Sequence, residues 1–301
     1  MSSEVNILLS TYNGEKYLHE LLNSLDKQSY PFFKITIRDD GSSDNTINII
    51  ENYAKNRNNL KLIKGKNLGV IKSFFTLVQE ADNSDYYAFC DQDDVWLPNK
   101  IERAINAISL YPKNRPVMYC SAYNLVDENL NSIGKTSNKA KRPSLENALV
   151  ENIATGCTIV INKAAHNILI NKLPQNALMH DWWMYLVVVV FGDVIYDPVP
   201  SILYRQHGSN AIGVKVNIIA KWMNRIKQYR SRRGERFISQ QVSEFYELYK
   251  DELDIHNSEL ITRFLQNGFF YRIYNILNGT IYRHSIIDNF IFKILYLNKR
   301  L

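Results

Sequence analysis

Short apolar runs alternate with stretches of helical spacing through the first hundred residues. Residues 5–10 are apolar and stop at Thr11-Tyr12-Asn13-Gly14, which predicts a buried strand ended by a turn. Within 15–28 the apolar positions Tyr17, Leu18, Leu21, Leu22 and Leu25 share one helical face. The cycle then repeats. A strand over 33–37 stops at Arg38-Asp39-Asp40-Gly41-Ser42-Ser43-Asp44 and is followed by a helix over 46–53. A strand over 60–63 and a helix over 70–81 come next, and then a strand over 86–90 that stops at Asp91-Gln92-Asp93-Asp94. This alternation predicts an α/β domain with a mostly parallel sheet flanked by helices. Ligands of such sheets bind beyond the carboxyl ends of the strands. The clusters at 11–14, 39–44 and 91–94 all fall there, so they are expected to line one crevice.

Beyond Pro98 the pattern loosens. It supports a helix over 100–111, strands over 117–122 and 158–161, and a buried helix over 181–191. Residues 132–143, rich in Lys, Ser and Asn, read as a mobile loop. From about residue 216 onward the chain reads as helical, with abundant Tyr, Phe and Ile and no proline. The expected division is 1–213 for the α/β domain and 214–301 for a helical extension serving membrane association or oligomerisation.

Composition narrows the class. Charged residues are 22% of 301 and hydrophobic ones 46%, which excludes wholesale disorder. The longest apolar run, Leu186 to Phe191, is far short of the roughly 20 residues of a membrane-spanning helix. No basic segment with a long apolar run opens the chain, so no signal peptide is expected. Three widely spaced cysteines, Cys90, Cys120 and Cys157, predict reduced thiols in the cytosol rather than a disulfide framework or a zinc site. Net charge is +6, but residues 213–301 hold 15 basic and 8 acidic side chains, leaving −1 for the first 212. The density is greatest from Lys215 to Arg236, where Ile218, Ile219, Trp222, Met223, Ile226 and Tyr229 recur at helical spacing. One face can then be apolar and the other basic, which predicts docking on an anionic membrane surface. The same stripe suits packing on the rest of the chain or on a second subunit of a homodimer.

Asp91 and Asp93, at i and i+2 of a strand end, can turn toward one cation, and oxygen ligands suit Mg²⁺ or Mn²⁺. The plain alternative is a turn whose aspartates cap the next helix. Placement after a buried strand, in register with two other polar strand ends, favours the cation. Asp39 is placed to accept the N3–H of a pyrimidine or a ribose hydroxyl, with Thr11-Tyr12-Asn13 beside it offering a ring to a base. Asp44 is expected to cap the helix that Thr46 opens.

Together with Ser10-Thr11-Tyr12-Asn13-Gly14, Asn67-Leu68-Gly69 and Asp91 through Trp96, these segments resemble the family 2 glycosyltransferases. Thr155-Gly156-Cys157, His180-Asp181-Trp182-Trp183 and Tyr204 through Asn210 resemble the rhamnosyltransferase branch of that family. The likeness spans about residues 4–213. It implies a Rossmann-like GT-A fold, a nucleotide-sugar donor and inversion at the anomeric centre. It implies Asp91 and Asp93 as ligands of Mn²⁺ or Mg²⁺ against the donor diphosphate, and His207 as a further ligand closing over it. Asp181 matches the catalytic base. Thr11, Tyr12, Asn13, Asp39, Asn67, Asp91 and Gln92 match donor-nucleotide positions, and Thr155, Gly156 and Trp182 the acceptor site. Without the likeness, Asp181 reads as a helix cap. His180 is expected to be structural and Cys157 a small packing residue, and one of the two adjacent tryptophans is expected in the core.

The chemistry agrees with that assignment. Displacing a nucleoside diphosphate needs charge neutralisation at the leaving group and a base on the opposite face to deprotonate the acceptor hydroxyl. A single in-line displacement needs no protein nucleophile. The expected reaction is transfer of L-rhamnose from dTDP-rhamnose to a lipid-linked saccharide of a bacterial capsule or cell wall, by a cytoplasmic enzyme peripheral to the inner face of the plasma membrane. A UDP-hexose donor stays open. A basic membrane- or nucleic-acid-binding protein would leave the three polar clusters unexplained. No nucleic-acid-binding motif is present, so no nucleic-acid partner is expected. A nucleotidyltransferase would carry a glycine-rich phosphate loop after the first strand, which Thr11-Tyr12-Asn13-Gly14 matches poorly.

Overall fold

A computed structural model describes residues 3–135, 141–207, 237–266 and 268–297. The basic stretch containing Ile218, Ile219, Trp222, Met223, Ile226 and Tyr229, and Gly208 through Asn210, lie outside the described residues. The chain divides into two compact units. The first comprises Met1–Ala140, Ala154–Leu173 and Phe191–Gly213; the second comprises Lys141–Ile153, Pro174–Val190 and Val214–Leu301. Two segments from the middle of the chain therefore group with the C-terminal helices.

In the first unit the alternation is strand β1 (Val5–Thr11), helix α1 (Leu18–Asp26), β2 (Phe33–Asp39), α2 (Thr46–Ala54), β3 (Leu60–Lys64), α3 (Val70–Glu80) and β4 (Tyr86–Asp91). Then come β5 (Val95–Trp96), α4 (Lys100–Ile108), β6 (Val117–Ser121), β7 (Asn124–Val126) and β8 (Ser132–Lys135). The short α5 (Leu145–Ala148) belongs to the second unit. The first resumes with β9 (Val160–Asn162) and α6 (Lys163–Asn171), is left during α7 (His180–Phe191), and ends with β10 (Asp193–Asp197) and β11 (Ile202–Arg205).

Among the described residues, the main sheet has seven strands in the order β10-β6-β9-β4-β1-β2-β3. All neighbours are parallel except β9, which runs antiparallel to β4 and β6. The mostly parallel, helix-flanked sheet expected from the sequence is present. The helices form where apolar residues recur at i, i+3, i+4 and i+7. In α1 those are Leu18, Leu21, Leu22 and Leu25, all buried with Val5, Ile7 and Leu9 of β1 and Ile101, Ala104 and Ile108 of α4. Parallel pairing aligns Ser10 with Asp91 and Thr11 with Asp39, so the ends of β4, β1 and β2 open side by side.

Three expectations need correction. Residues 132–135 are a strand, not a loop, paired antiparallel with β7. It belongs to a second sheet, β5-β11-β7-β8, whose strands are too short to show an alternation in the sequence. The strand expected over 158–161 starts at Val160, because Gly156–Thr158 forms a 3-10 turn. The cap of α2 is Asn45, while Asp44 accepts from the amide and hydroxyl of Thr46 one residue further in, at 3.1 and 2.6 Å.

The second unit contains α5, α7, and after residue 236 the helices α8 (Phe237–Tyr249), α9 (Ile255–Leu265), α10 (Phe269–Leu277) and α11 (Ile286–Leu297). Trp183 of α7 is fully buried and meets Phe245 of α8 edge-on, with ring centroids 5.9 Å apart.

Candidate functional site

The crevice is organised by buried carboxylates. Asp39, at the end of β2, accepts from the Thr11 hydroxyl at 2.9 Å, the amides of Gly41 and Ser42 at 3.1 and 2.8 Å, and the Ser42 hydroxyl. Both its oxygens are thus spent on holding the 41–42 turn against the end of β1. Gly41 permits this turn because its φ is +83°, a region that favours glycine. Asp40 does the same for the next loop. It pairs with Arg38 and accepts from the amides of Leu68 and Gly69 at 2.8 and 2.9 Å, which fixes Asn67-Leu68-Gly69 beside the turn. Asn67 itself is exposed. Sequence reasoning singled out Asp39 and passed over Asp40, whose partners lie nearly thirty residues away.

Gln92 reaches back to the end of β1. Its amide accepts from Tyr12 N at 2.8 Å and donates to Tyr12 O at 2.9 Å, leaving the Tyr12 ring half exposed over the crevice. Gly14 makes room for that clasp, since a Cβ there would lie 2.3 Å from Gln92 Oε1. Asn13 accepts from Ser43 N at 2.8 Å and its own amide donates to Ser42 at 2.9 Å. Thr11, Tyr12, Asn13, Asp39, Asn67 and Gln92, separated by up to 81 positions, are therefore gathered at adjoining strand ends.

Asp93 meets His207 beyond β11, with His207 Nε2 2.8 Å from Asp93 Oδ2 and both side chains partly exposed. The segment bearing His207 is strapped to the acidic loop by Arg205. This buried guanidinium donates to the Asp93 carbonyl at 2.8 Å and to the Glu128 carbonyl, pairs with Glu20, and lies over the Tyr17 ring at 4.5 Å. Its backbone amide donates to Asp94 at 3.1 Å. His207 in turn packs on Tyr17, ring centroids 4.7 Å apart. Arg205 carried no signal in the sequence beyond its place in the Arg-Gln-His-Gly run.

Two sets of side chains have metal-ligand chemistry. Asp91, Asp94 and Cys157 offer atoms within 4.8 Å of one another. Burial pushes both Asp94 and Cys157 above their ordinary pKa values. A buried thiol is a soft ligand and suits a hard cation poorly. Lys100 sits beside them, its ammonium donating to the Cys157 carbonyl at 2.7 Å and lying 3.2 Å from the Trp96 ring centre, and burial pulls it down to about 8. This cluster is the buried floor under the acidic loop, and Cys157 packs within it. Asp93 and His207 offer a carboxylate and an imidazole 2.8 Å apart at the partly exposed side, but Asp91 is not gathered with them: among the described residues the three groups whose ligand atoms lie within 4.8 Å are Asp91, Asp94 and Cys157.

In the second unit Asp181 lies in the first turn of α7 rather than at its cap, nearly buried, its carboxylate accepting from Trp182 N at 2.7 Å. Trp182 is partly exposed and its indole donates to the Ala148 carbonyl at 2.7 Å, whereas Trp183 is core. His180 is buried and burial pushes it down to about 3, which leaves it neutral. Thr155 and Gly156 belong to the first unit, in the turn preceding Cys157. Thr155 O accepts from the Thr158 amide and hydroxyl at 2.8 and 2.7 Å.

Comparison with known proteins identifies the family and the fold. The family model described as glycosyl transferase family 2 matches residues 6–168, more than half of the chain. A dTDP-rhamnosyl transferase, RfbG of Shigella flexneri, is 32% identical over 239 residues, covering 71% of this chain and 76% of the relative. Residues 1–349 of S. aureus TarS superpose with a TM-score of 0.59 at 19% identity, covering 99% of this chain and 82% of that one. The mannosyltransferase PcManGT of Pyrobaculum calidifontis, solved with GDP-Man and Mn2+, gives 0.53 at 14%, covering 99% and 88%. Those likenesses bear out the expected GT-A fold with its C-terminal helical region. The chain belongs to glycosyl transferase family 2 and is a glycosyltransferase.

Proposed function

We propose that this glycosyltransferase moves L-rhamnose from dTDP-rhamnose, with inversion, to a lipid-linked saccharide in bacterial polysaccharide synthesis. The observation that supports the reading is the grouping of Thr11, Tyr12, Asn13, Asp39 and Gln92 at the ends of β1, β2 and β4, with the Asp93–His207 pair beyond β4. The donor sugar is supported by the rhamnosyl transferase relative at 32% identity.

In this reading the nucleotide lies across the end of β1. Tyr12 stacks on the base, while Thr11, Asn13, Asp39, Asn67 and Gln92 shape the pocket and supply backbone donors. Asp91, Asp93 and His207 would hold Mn²⁺ or Mg²⁺. When bound, that ion neutralises the departing diphosphate as a Lewis acid. Asp181 accepts the acceptor hydroxyl proton as the new glycosidic bond forms and the bond to the diphosphate breaks. Thr155, Gly156 and Trp182 contribute to the acceptor site. The enzyme works at the inner face of the plasma membrane, held peripherally through residues 214–301, because its acceptor is lipid-linked.

A donor competition assay tests the central part. With Mn²⁺ present, dTDP-rhamnose should be consumed in preference to UDP-glucose, UDP-galactose and UDP-N-acetylglucosamine. Preference for a UDP-hexose would overturn the donor assignment and leave the glycosyltransferase chemistry in place.

A further inference from the structure

Helix α5 (Leu145–Ala148) is one turn long, too short to be stable by itself. Its last residue nonetheless fixes Trp182, because the Ala148 carbonyl accepts from the indole N–H at 2.7 Å. The orientation of that indole therefore depends on whatever holds α5 in place.

Two parts of the second unit grip the turn. On α7, three residues beyond Trp182, the buried Tyr185 hydroxyl donates to Asn147 Oδ1 at 3.1 Å and accepts from Ser144 N at 3.3 Å. The other grip comes from Tyr282 and His284, in the connection between α10 and α11. Asn147 is fully buried, and its amide nitrogen donates to Glu151 Oε2 at 2.7 Å and to the Tyr282 carbonyl at 3.1 Å. The same Glu151 oxygen meets the His284 amide and the His284 Nδ1, both at 2.9 Å. Nε2 of that ring accepts from Arg142 N at 3.1 Å, which puts the ring proton on Nδ1 and makes it a donor to Glu151. The Tyr282 hydroxyl lies 3.1 Å from Ser144 Oγ. Residues 142, 144, 147 and 151, on both sides of Ala148, are thus tied to residues 282–284. The His284 and Glu151 side chains are 21% and 19% exposed, so water competes little for the bonds between them.

We infer that Tyr282 and His284 are positioning residues for the acceptor. Through Asn147 and Glu151 they fix the Ala148 carbonyl, and that carbonyl sets the plane of the Trp182 indole against which an acceptor sugar ring stacks. The inference rests on the reading that Trp182 belongs to the acceptor site. It gives the C-terminal helical region, outside the residues 6–168 matched by the family model, a part in acceptor binding.

The test is steady-state kinetics with a water-soluble alkyl glycoside that the wild type glycosylates. His284→Ala should raise the acceptor KM about tenfold and leave kcat and the donor KM within about twofold, because stacking serves ground state and transition state alike. Tyr282→Phe removes only the hydroxyl beside Ser144, so it keeps the test open if His284→Ala folds poorly; it should raise the acceptor KM about threefold. His284→Asn puts an amide nitrogen near the place of Nδ1 and should restore most of the affinity. Trp182→Ala should raise the acceptor KM at least as far as His284→Ala, and adding either His284→Ala or Tyr282→Phe to it should change nothing more, since all act through one indole. Effects that multiply in the double variants, a loss shared equally by donor and acceptor, or an asparagine no better than alanine would overturn the inference. A wild-type acceptor KM in both His284→Ala and Tyr282→Phe, beside a raised one in Trp182→Ala, would overturn it and leave the assignment of Trp182 standing. A wild-type acceptor KM in Trp182→Ala would remove Trp182 from the acceptor site and the inference with it.

Discussion

Replacing Arg205 with methionine should loosen the crevice and lower both stability and turnover. Methionine keeps an unbranched stem of similar reach and removes the guanidinium. Lost are the hydrogen bond to the Asp93 carbonyl at 2.8 Å, the one to the Glu128 carbonyl, the pair with Glu20 and the contact over Tyr17. These are unequal. The Glu20 carboxyl is 52% exposed, so water replaces most of that pair. Glu128 is an exposed residue, and its carbonyl can also find water. The Asp93 carbonyl sits under the crevice, and leaving such an acceptor unpaired costs about 1–3 kcal/mol. Relief from burying a guanidinium offsets part of the total, so a net loss of about 2 kcal/mol is expected, or a fall of about 4–8 °C in Tm. Asp93 and His207 both depend on this strap. A displacement of about 1 Å can cost on the order of 100-fold in rate. Thermal melts and donor-saturation kinetics at fixed Mn²⁺ read the two effects. Arg205→Lys should fall almost as far, because one ammonium cannot reproduce the fork. A methionine variant with the wild-type Tm and kcat/KM would refute the reasoning.

Other substitutions probe separate parts. Gly14→Ala should drive Gln92 off Tyr12, since the new Cβ would lie 2.3 Å from Gln92 Oε1; dTDP affinity should drop several-fold, and Gln92→Ala should reproduce the loss. Wild-type dTDP binding by both would contradict this. Asp181→Asn should keep donor affinity and lose turnover, because only proton acceptance is removed; a collapse of donor binding with the fold intact would move Asp181 to the donor site. Burial opposes the charge on Glu151, yet hydrogen bonds from the side chain and backbone of His284 and from Asn147 hold its pKa at about 2, below the ordinary 4.5. A depressed carboxylate contributes stability that is complete above about pH 4.5 and is lost as pH falls through about 2. Urea unfolding of the wild type should therefore weaken between about pH 5 and about pH 3 more than that of Glu151→Gln. Parallel losses in the two proteins would remove Glu151 as the cause.

The first four strands of the main sheet were legible because they and the helices between them are long enough to show their periods, whereas β10 (Asp193–Asp197) and α6 (Lys163–Asn171) were not foreseen. Val5 to Thr11 and the Leu18, Leu21, Leu22, Leu25 stripe each announce their own geometry. The second sheet was not, since β5 has two residues, β7 three, and β8 and β11 four each, fewer than alternation needs. The 132–135 strand looked like a loop because its stability comes from pairing with β7, which composition does not encode. Thr11 to Asn13, Asp39, Asp91 and Asp93 were named from their position at strand ends, and Asn67 and His207 from the family likeness. What escaped notice were the groups that hold them in place. Asp40 works through the amides of Leu68 and Gly69, and Arg205 through a carbonyl more than a hundred positions earlier. Asp94 and Cys157 were hidden for a related reason: as a turn residue and a small residue they gave no sign of packing together beneath the loop. Nor does helical spacing say which side of a helix faces the core. In α10 the apolar residues recur as in any amphipathic helix, yet they point outward.

The most direct test of the account is transfer from dTDP-L-rhamnose to a saccharide acceptor with Mn²⁺, comparing the wild type, the wild type in EDTA and Asp93→Ala, with the product's anomeric configuration read by NMR. The account predicts an inverted rhamnoside and stoichiometric dTDP from the wild type, and neither from the other two despite an unchanged fold. Retention of configuration, or full activity of Asp93→Ala in EDTA, would contradict it.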